Sequence, residues 1–137
     1  MKGQKEIIRT VLDHYPNAQA IYLFGSFGTE QEWPESDVDI AVLLPPEKAK
    51  KAGLLMMSDL RFLLESLLKK DVDLINLRRV PTVLQKEVVT MGCRIYEGDR
   101  YAAEEFEMLT LSYYQKLNEE RAEIIKSALS SERFHQL

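Results

Sequence analysis

Two segments of this chain begin alike. "DVDIAVLL" at 37–44 and "DVDLINL" at 71–77 each open on paired aspartates and run on into apolar residues. Side chains alternate along a strand, so Asp37, Asp39, Ala41 and Leu43 share one face of the first segment. Asp71, Asp73, Ile75 and Leu77 share a face of the second. Residues 47–69 join the two and read as an amphipathic helix, with Leu54, Leu55, Leu60, Leu63, Leu64, Leu67 and Leu68 on or near one side. A helical connection of that length predicts a parallel β-α-β crossover. Both pairs of acids then lie at the same end of one sheet.

The rest of the chain completes a small α/β domain. Residues 4–14 carry Ile7, Ile8, Val11 and Leu12 at helical spacing. "AIYLF", 20–24, reads as a short strand ended by Gly25. Residues 26–36 read as a helical turn and loop, short enough for the first two strands to pair antiparallel. Pro81 and Gly92 bracket another helix, and "CRIYE" at 93–97 reads as a fourth strand at an edge. The expected fold is therefore a mixed sheet of three or four strands with flanking helices. From about residue 99 the chain reads as helical almost to its end, with Phe106, Leu109, Tyr113, Leu117, Ile124 and Ala128 at helical spacing. A continuous helix over 99–129 spans roughly 46 Å and would overhang a core of this size. It either breaks near Asn118 and folds back or offers its far end to a partner. The division expected is a core over 1–97 and a helical extension over 98–137.

Composition narrows the function. The 137 residues carry a net charge of -4, which argues against a surface built to grip nucleic acid. The single cysteine, Cys93, excludes an internal disulfide and a Cys-based zinc site, and its strand context reads as a small core residue. The stretch "MKGQKEIIRTVLDHY" has no apolar leader segment, and "LLMMSDLRFLLESLL" at 54–68 is too short and too charged to span a bilayer. A cytoplasmic protein without membrane contact is expected. His14, closing the first helix, and His135 have no acid at motif spacing and read as structural or solvated. Arg78 and Arg79 could meet a phosphate or a partner, or be solvated loop residues. Trp33 could stack on a base or pack locally.

The acids carry chemistry. Asp37 and Asp39 lie roughly 6.6 Å apart along a strand, close enough to converge on one cation. Clustered carboxylates repel unless a cation sits among them, and oxygen ligands without His or Cys suit Mg²⁺. If the first strand is antiparallel to the second, Gly25 and Ser26 reach the same spot. Gly25 leaves room for a phosphate, and Ser26 can supply N–H groups and a hydroxyl at a helical turn. Such a layout can hold a metal-bound nucleoside triphosphate and activate a hydroxyl.

"GS" at 25–26, ten residues, then "DVD" at 37–39 within "PESDVDIAVLL" resembles the signature of the DNA polymerase β-like nucleotidyltransferases. Over residues 1–97 the chain looks like the minimal nucleotidyltransferases, and most like the MntA-type antitoxins that pair with a HEPN-domain toxin. The resemblance implies metal binding by Asp37 and Asp39, with Asp73 as the third ligand and the base for the attacking hydroxyl. Asp71, at the outer edge of its strand, reads as solvated. Gly25 and Ser26 are implied to hold the triphosphate, with two Mg²⁺ ions and with ATP as substrate. The implied reaction moves AMP onto a tyrosine of the partner toxin, silencing its RNase activity. One departure stands out. Many relatives have an arginine just after Gly-Ser, where this chain reads "FGTEQEW". That departure favours one rival, an antitoxin that neutralises by binding alone, which the three intact acids disfavour. A second rival is a small-molecule nucleotidyltransferase, for which the chain has few residues to build an acceptor pocket.

Overall fold

The computed structural model describes residues 3–25 and 37–135, with side chains to residue 130. Four strands form one sheet: β1 (Ala20–Phe24), β2 (Val38–Leu43), β3 (Val72–Asn76) and β4 (Cys93–Glu97), in the order β3-β2-β1-β4. β1 lies antiparallel to β2 and to β4, and β2 runs parallel to β3. Five helices flank it: α1 (Gln4–His14), α2 (Pro46–Ala52), α3 (Asp59–Leu68), α4 (Thr82–Met91) and α5 (Arg100–His135). The mixed sheet, the parallel crossover and the edge position of β4 are as the sequence predicts.

Alternation along the strands gives the sheet two apolar faces. Ile21, Leu23, Val38, Ile40, Val42, Val72 and Leu74 pack against Ile7 and Val11 of α1 and Leu60 and Leu64 of α3. Ala20, Tyr22, Ala41, Leu43 and Ile75 pack on the other side, against Val88 of α4 and Ala103 and Phe106 of α5. Burying each large aliphatic side chain is worth about 1.5–3 kcal/mol, so both layers are needed to hold so small a sheet.

Three expectations are corrected. The helix over 47–69 is two helices. α2 ends at Gly53, whose φ of 61° suits a residue without Cβ, and a short 3₁₀ turn at Leu55–Met57 follows. Ser58 then starts α3, its hydroxyl accepting from Arg61 N–H. The break sets the leucines apart: Leu55, Leu60 and Leu64 are buried, whereas Leu54 is 79% exposed and Phe62, Leu63 and Leu67 also face outward. Asn76 closes α2 from β3, its amide donating to the carbonyls of Ala49 (2.9 Å) and Gly53 (3.0 Å). Cys93 is exposed rather than buried, because it stands at the first position of an edge strand.

The third correction concerns the apolar stripe expected on α5, a helix whose continuity the sequence left open. It is one helix of 36 residues, about 54 Å long, and passes through Asn118 without folding back. Its core-facing residues are Ala103, Phe106 and Thr110, while Leu109 and Tyr113 of the expected stripe are exposed.

Candidate active site

Antiparallel pairing of β1 with β2 sets Phe24 opposite Asp39, so β1 leaves the sheet beside that acid. Parallel pairing of β2 with β3 sets Asp39 opposite Asp73. The two carboxylates therefore sit side by side on neighbouring strands, at the sheet end where β1 exits. Asp37 lies one residue ahead of β2 and is exposed; Asp39 and Asp73 are half-buried. Asp71 is exposed at the rim, and its carbonyl accepts from Val38 N–H (2.9 Å). Ser26, Glu30, Glu32 and Trp33 lie outside the described residues.

Gly25 is bound to this geometry by two constraints. Its φ is +76°, a region that side chains with a Cβ enter only with strain. A Cβ built there would also collide with Asp39 Oδ2. The space that a missing side chain leaves at Gly25 is thus taken by the carboxylate itself.

Electrostatics mark Asp39 as the centre. Burial, then the charges of Asp73 and Asp37, raise its carboxyl from the ordinary 3.8 to about 6. Two like charges acting on a third, partly desolvated one is an arrangement that a bound cation relieves. Among the described residues, no group of three or more His, Cys, Asp or Glu is placed to hold a metal ion by itself. Mg²⁺ commonly takes one or two carboxylates and completes its shell with phosphate and water, so Asp39 with one neighbouring acid is a sufficient protein contribution for it. The donor set, all carboxylate at a solvent-facing strand mouth, has the chemistry for it.

The sequence reading missed other residues that shape this face. Arg78 is neither solvated nor near the acids. Its Nε donates to the Leu44 carbonyl, its Nη2 to Gln19 Oε1 (2.7 Å), and its guanidinium lies 5.4 Å over the Phe106 ring. Those partners sit at the opposite end of the sheet, so Arg78 fastens α5 and is not placed for a phosphate. Tyr22, on the same face as Asp39, donates from its hydroxyl to Glu107 Oε2 (2.9 Å), which also takes Arg94 Nη1 (2.6 Å). Burial and the Glu107 carboxylate push the Tyr22 hydroxyl well above its ordinary range, so it remains a donor. The signal was a tyrosine inside a strand that packs on both sides, since a buried hydroxyl requires a partner.

Residues 6–101 match the family described as polymerase beta nucleotidyltransferase. The chain belongs to that family. It is 38% identical over 129 residues to a protein adenylyltransferase, MntA, of Shewanella oneidensis, covering 94% of this chain and 89% of the relative. Its fold matches the crystal structure of a toxin–antitoxin with AMP-PNP at a TM-score of 0.72 and 37% identity, over 92% of this chain and 98% of the other. It also matches a structure of a tri-AMPylated S. oneidensis HEPN toxin in complex with an MNT antitoxin, at a TM-score of 0.67 and 37% identity over 93% and 96% of the two chains. The family and the MntA likeness are as the resemblance implies.

Proposed function

We propose that this chain is a Mg²⁺-dependent protein adenylyltransferase, the antitoxin of a HEPN-type RNase toxin, which it silences in the cytoplasm by moving AMP from ATP to a tyrosine hydroxyl. The observation that carries the reading is the register of the sheet: Asp39 stands opposite Asp73 and beside the Gly25 turn. The likeness to MntA and to toxin complexes supplies the acceptor class.

Each residue has a role that its position supports. Asp37 and Asp39 would hold the metal, and Asp73 would join them from the next strand. When bound, Mg²⁺ lowers the charge on the α-phosphate and on the departing pyrophosphate. Gly25 and Ser26 are assigned to the triphosphate; of the two, Gly25 has its backbone fitted closely against Asp39. Asp73 receives the proton of the tyrosine hydroxyl. That oxygen bonds to the α-phosphorus as the bond to the β-phosphate oxygen breaks, and pyrophosphate leaves. The bystander acid, Asp71, points its strand edge to solvent and takes no part. No helix among the described residues is long and apolar enough to cross a membrane.

The test uses ATP labelled at the α-phosphate, Mg²⁺ and a HEPN-domain toxin as acceptor. Label is expected on the toxin with the wild-type chain and not with Asp37→Asn plus Asp39→Asn. Equal labelling by the double variant removes the aspartates from the site. Neutralisation without labelling gives the case to an antitoxin that acts by binding.

A further inference from the structure

α5 starts at the sheet end away from the acids, where Asp99 N–H donates to the Gln19 carbonyl (3.1 Å) and Ala103 packs in the cluster with Ala20. It then runs the same way as α4. Arg78, just ahead of α4, lies over Phe106, and Lys86, eight residues on, lies 4.9 Å over Tyr114, eight residues further along α5. α4 ends at the acid end: Gly92, which caps it, is pressed against Leu23 and Phe24, the residues leading into Gly25. α5 therefore leaves the body of the domain at the same end as Asp39 and Asp73. From Leu117 to His135 it projects about 27 Å.

The projecting part keeps the face of the packed part. Ala103, Phe106, Thr110, Tyr114 and Leu117 line one side at spacings of three and four, and Arg121, Ile124, Ile125 and Ala128 continue it. Within the domain this stripe is covered by the sheet and α4. Past Leu117 every described residue is exposed, and Ile124 and Ile125 are 68% and 59% accessible. A stripe that keeps its apolar register after its own core has ended is built for another surface. The helix is also held at a fixed angle: Glu107 joins Tyr22 of β1 and Arg94 of β4, and Arg78 grips Phe106 from the other side.

We infer that the overhang of α5, through Ile124, Ile125 and Ala128, docks the acceptor protein and holds its tyrosine in front of the acids. This rests on the adenylyltransferase reading, and it names the surface that meets the toxin. The occupant follows from direction. Whatever covers this stripe stands before Asp39 and Asp73, which is where an acceptor hydroxyl has to arrive. A second copy of this chain laid there would occupy that approach. Docking on a fixed arm makes the transfer effectively intramolecular, which is a large source of rate.

The test is Ile124→Glu with Ile125→Glu in the full chain, and Arg121→Glu separately. All three positions are exposed, so thermal melts are expected to match wild type. Affinity for the cognate toxin, measured by calorimetry without ATP, should fall about tenfold or more for the double variant, as for loss of a central apolar anchor. Transfer at sub-saturating toxin should fall in step, with the KM for ATP unchanged. Wild-type affinity in the double variant overturns the inference. So does a variant that changes only the self-association of this chain, seen by light scattering, while still binding toxin normally. Because affinity is read without chemistry, a wild-type chain that binds toxin but transfers nothing refutes the adenylyltransferase reading and leaves the docking surface to be judged by its own result.

Discussion

Replacing Asp39 with asparagine should make the metal-free protein more stable while ending its activity. The carboxyl is raised to about 6 by burial and by Asp73 and Asp37, so its ionised form is disfavoured in the folded state. The sign follows from linkage. A folded-state value above the unfolded one means that the fold binds the proton more tightly, so stability is lost as pH rises from about 4 to about 6. The full displacement from 3.8 corresponds to ~3 kcal/mol. The carboxylate is partly open to water, and screening reduces this to about 1–2 kcal/mol. For a domain of this size the gain is a rise in Tm of roughly 3–8 °C at pH 7.5. The difference between Asp39→Asn and wild type should shrink as pH falls from about 6 to about 4, and vanish only below the ordinary carboxyl value of 3.8, where the wild-type carboxyl is protonated in both states. Added Mg²⁺ with ATP should raise the Tm of wild type and not of the variant. Thermal melts over pH 4–8, with and without Mg²⁺-ATP, read all of this. A less stable Asp39→Asn protein at pH 7.5, or a gap that does not change with pH, refutes the repulsion argument.

Gly25→Ala should cost at least about 2 kcal/mol and most of the activity, because it adds both positive-φ strain and a collision with Asp39; urea unfolding and an ATP assay check it. Glu107→Gln and Tyr22→Phe should each destabilise by roughly 1–2 kcal/mol, and a double-mutant cycle should show coupling between them. Leu60→Ala should cost about 2–4 kcal/mol and Leu54→Ala close to nothing, a contrast that follows from the break between α2 and α3 and that denaturant curves resolve.

Much of this was legible in the sequence because period-two patterns carry register. The repeated D-V-D openings, with a crossover between them, place Asp39 and Asp73 at one sheet end, and the strands pair in that way. The break at Gly53 and Ser58 was also written there, but seven leucines read as one stripe outweighed two small residues. What stayed hidden depends on contacts distant in the chain. Arg78 looks like a loop cation until β1 and β2 bring Gln19 and the Leu44 carbonyl to it. Cys93 reads as core until strand order puts it at an edge. On α5 the spacing of Leu109 and Tyr113 with Phe106 is helical, yet the face turned to the sheet is that of Ala103, Phe106 and Thr110, which small and polar residues mark only faintly.

The most direct test of adenylyl transfer is intact mass spectrometry of the HEPN toxin partner after incubation with the wild-type protein, ATP and Mg²⁺. The account predicts a mass gain in whole steps of one adenylyl group, mapped by peptide fragmentation to a tyrosine and absent with Asp37→Asn plus Asp39→Asn. A toxin that is neutralised yet keeps its unmodified mass contradicts it.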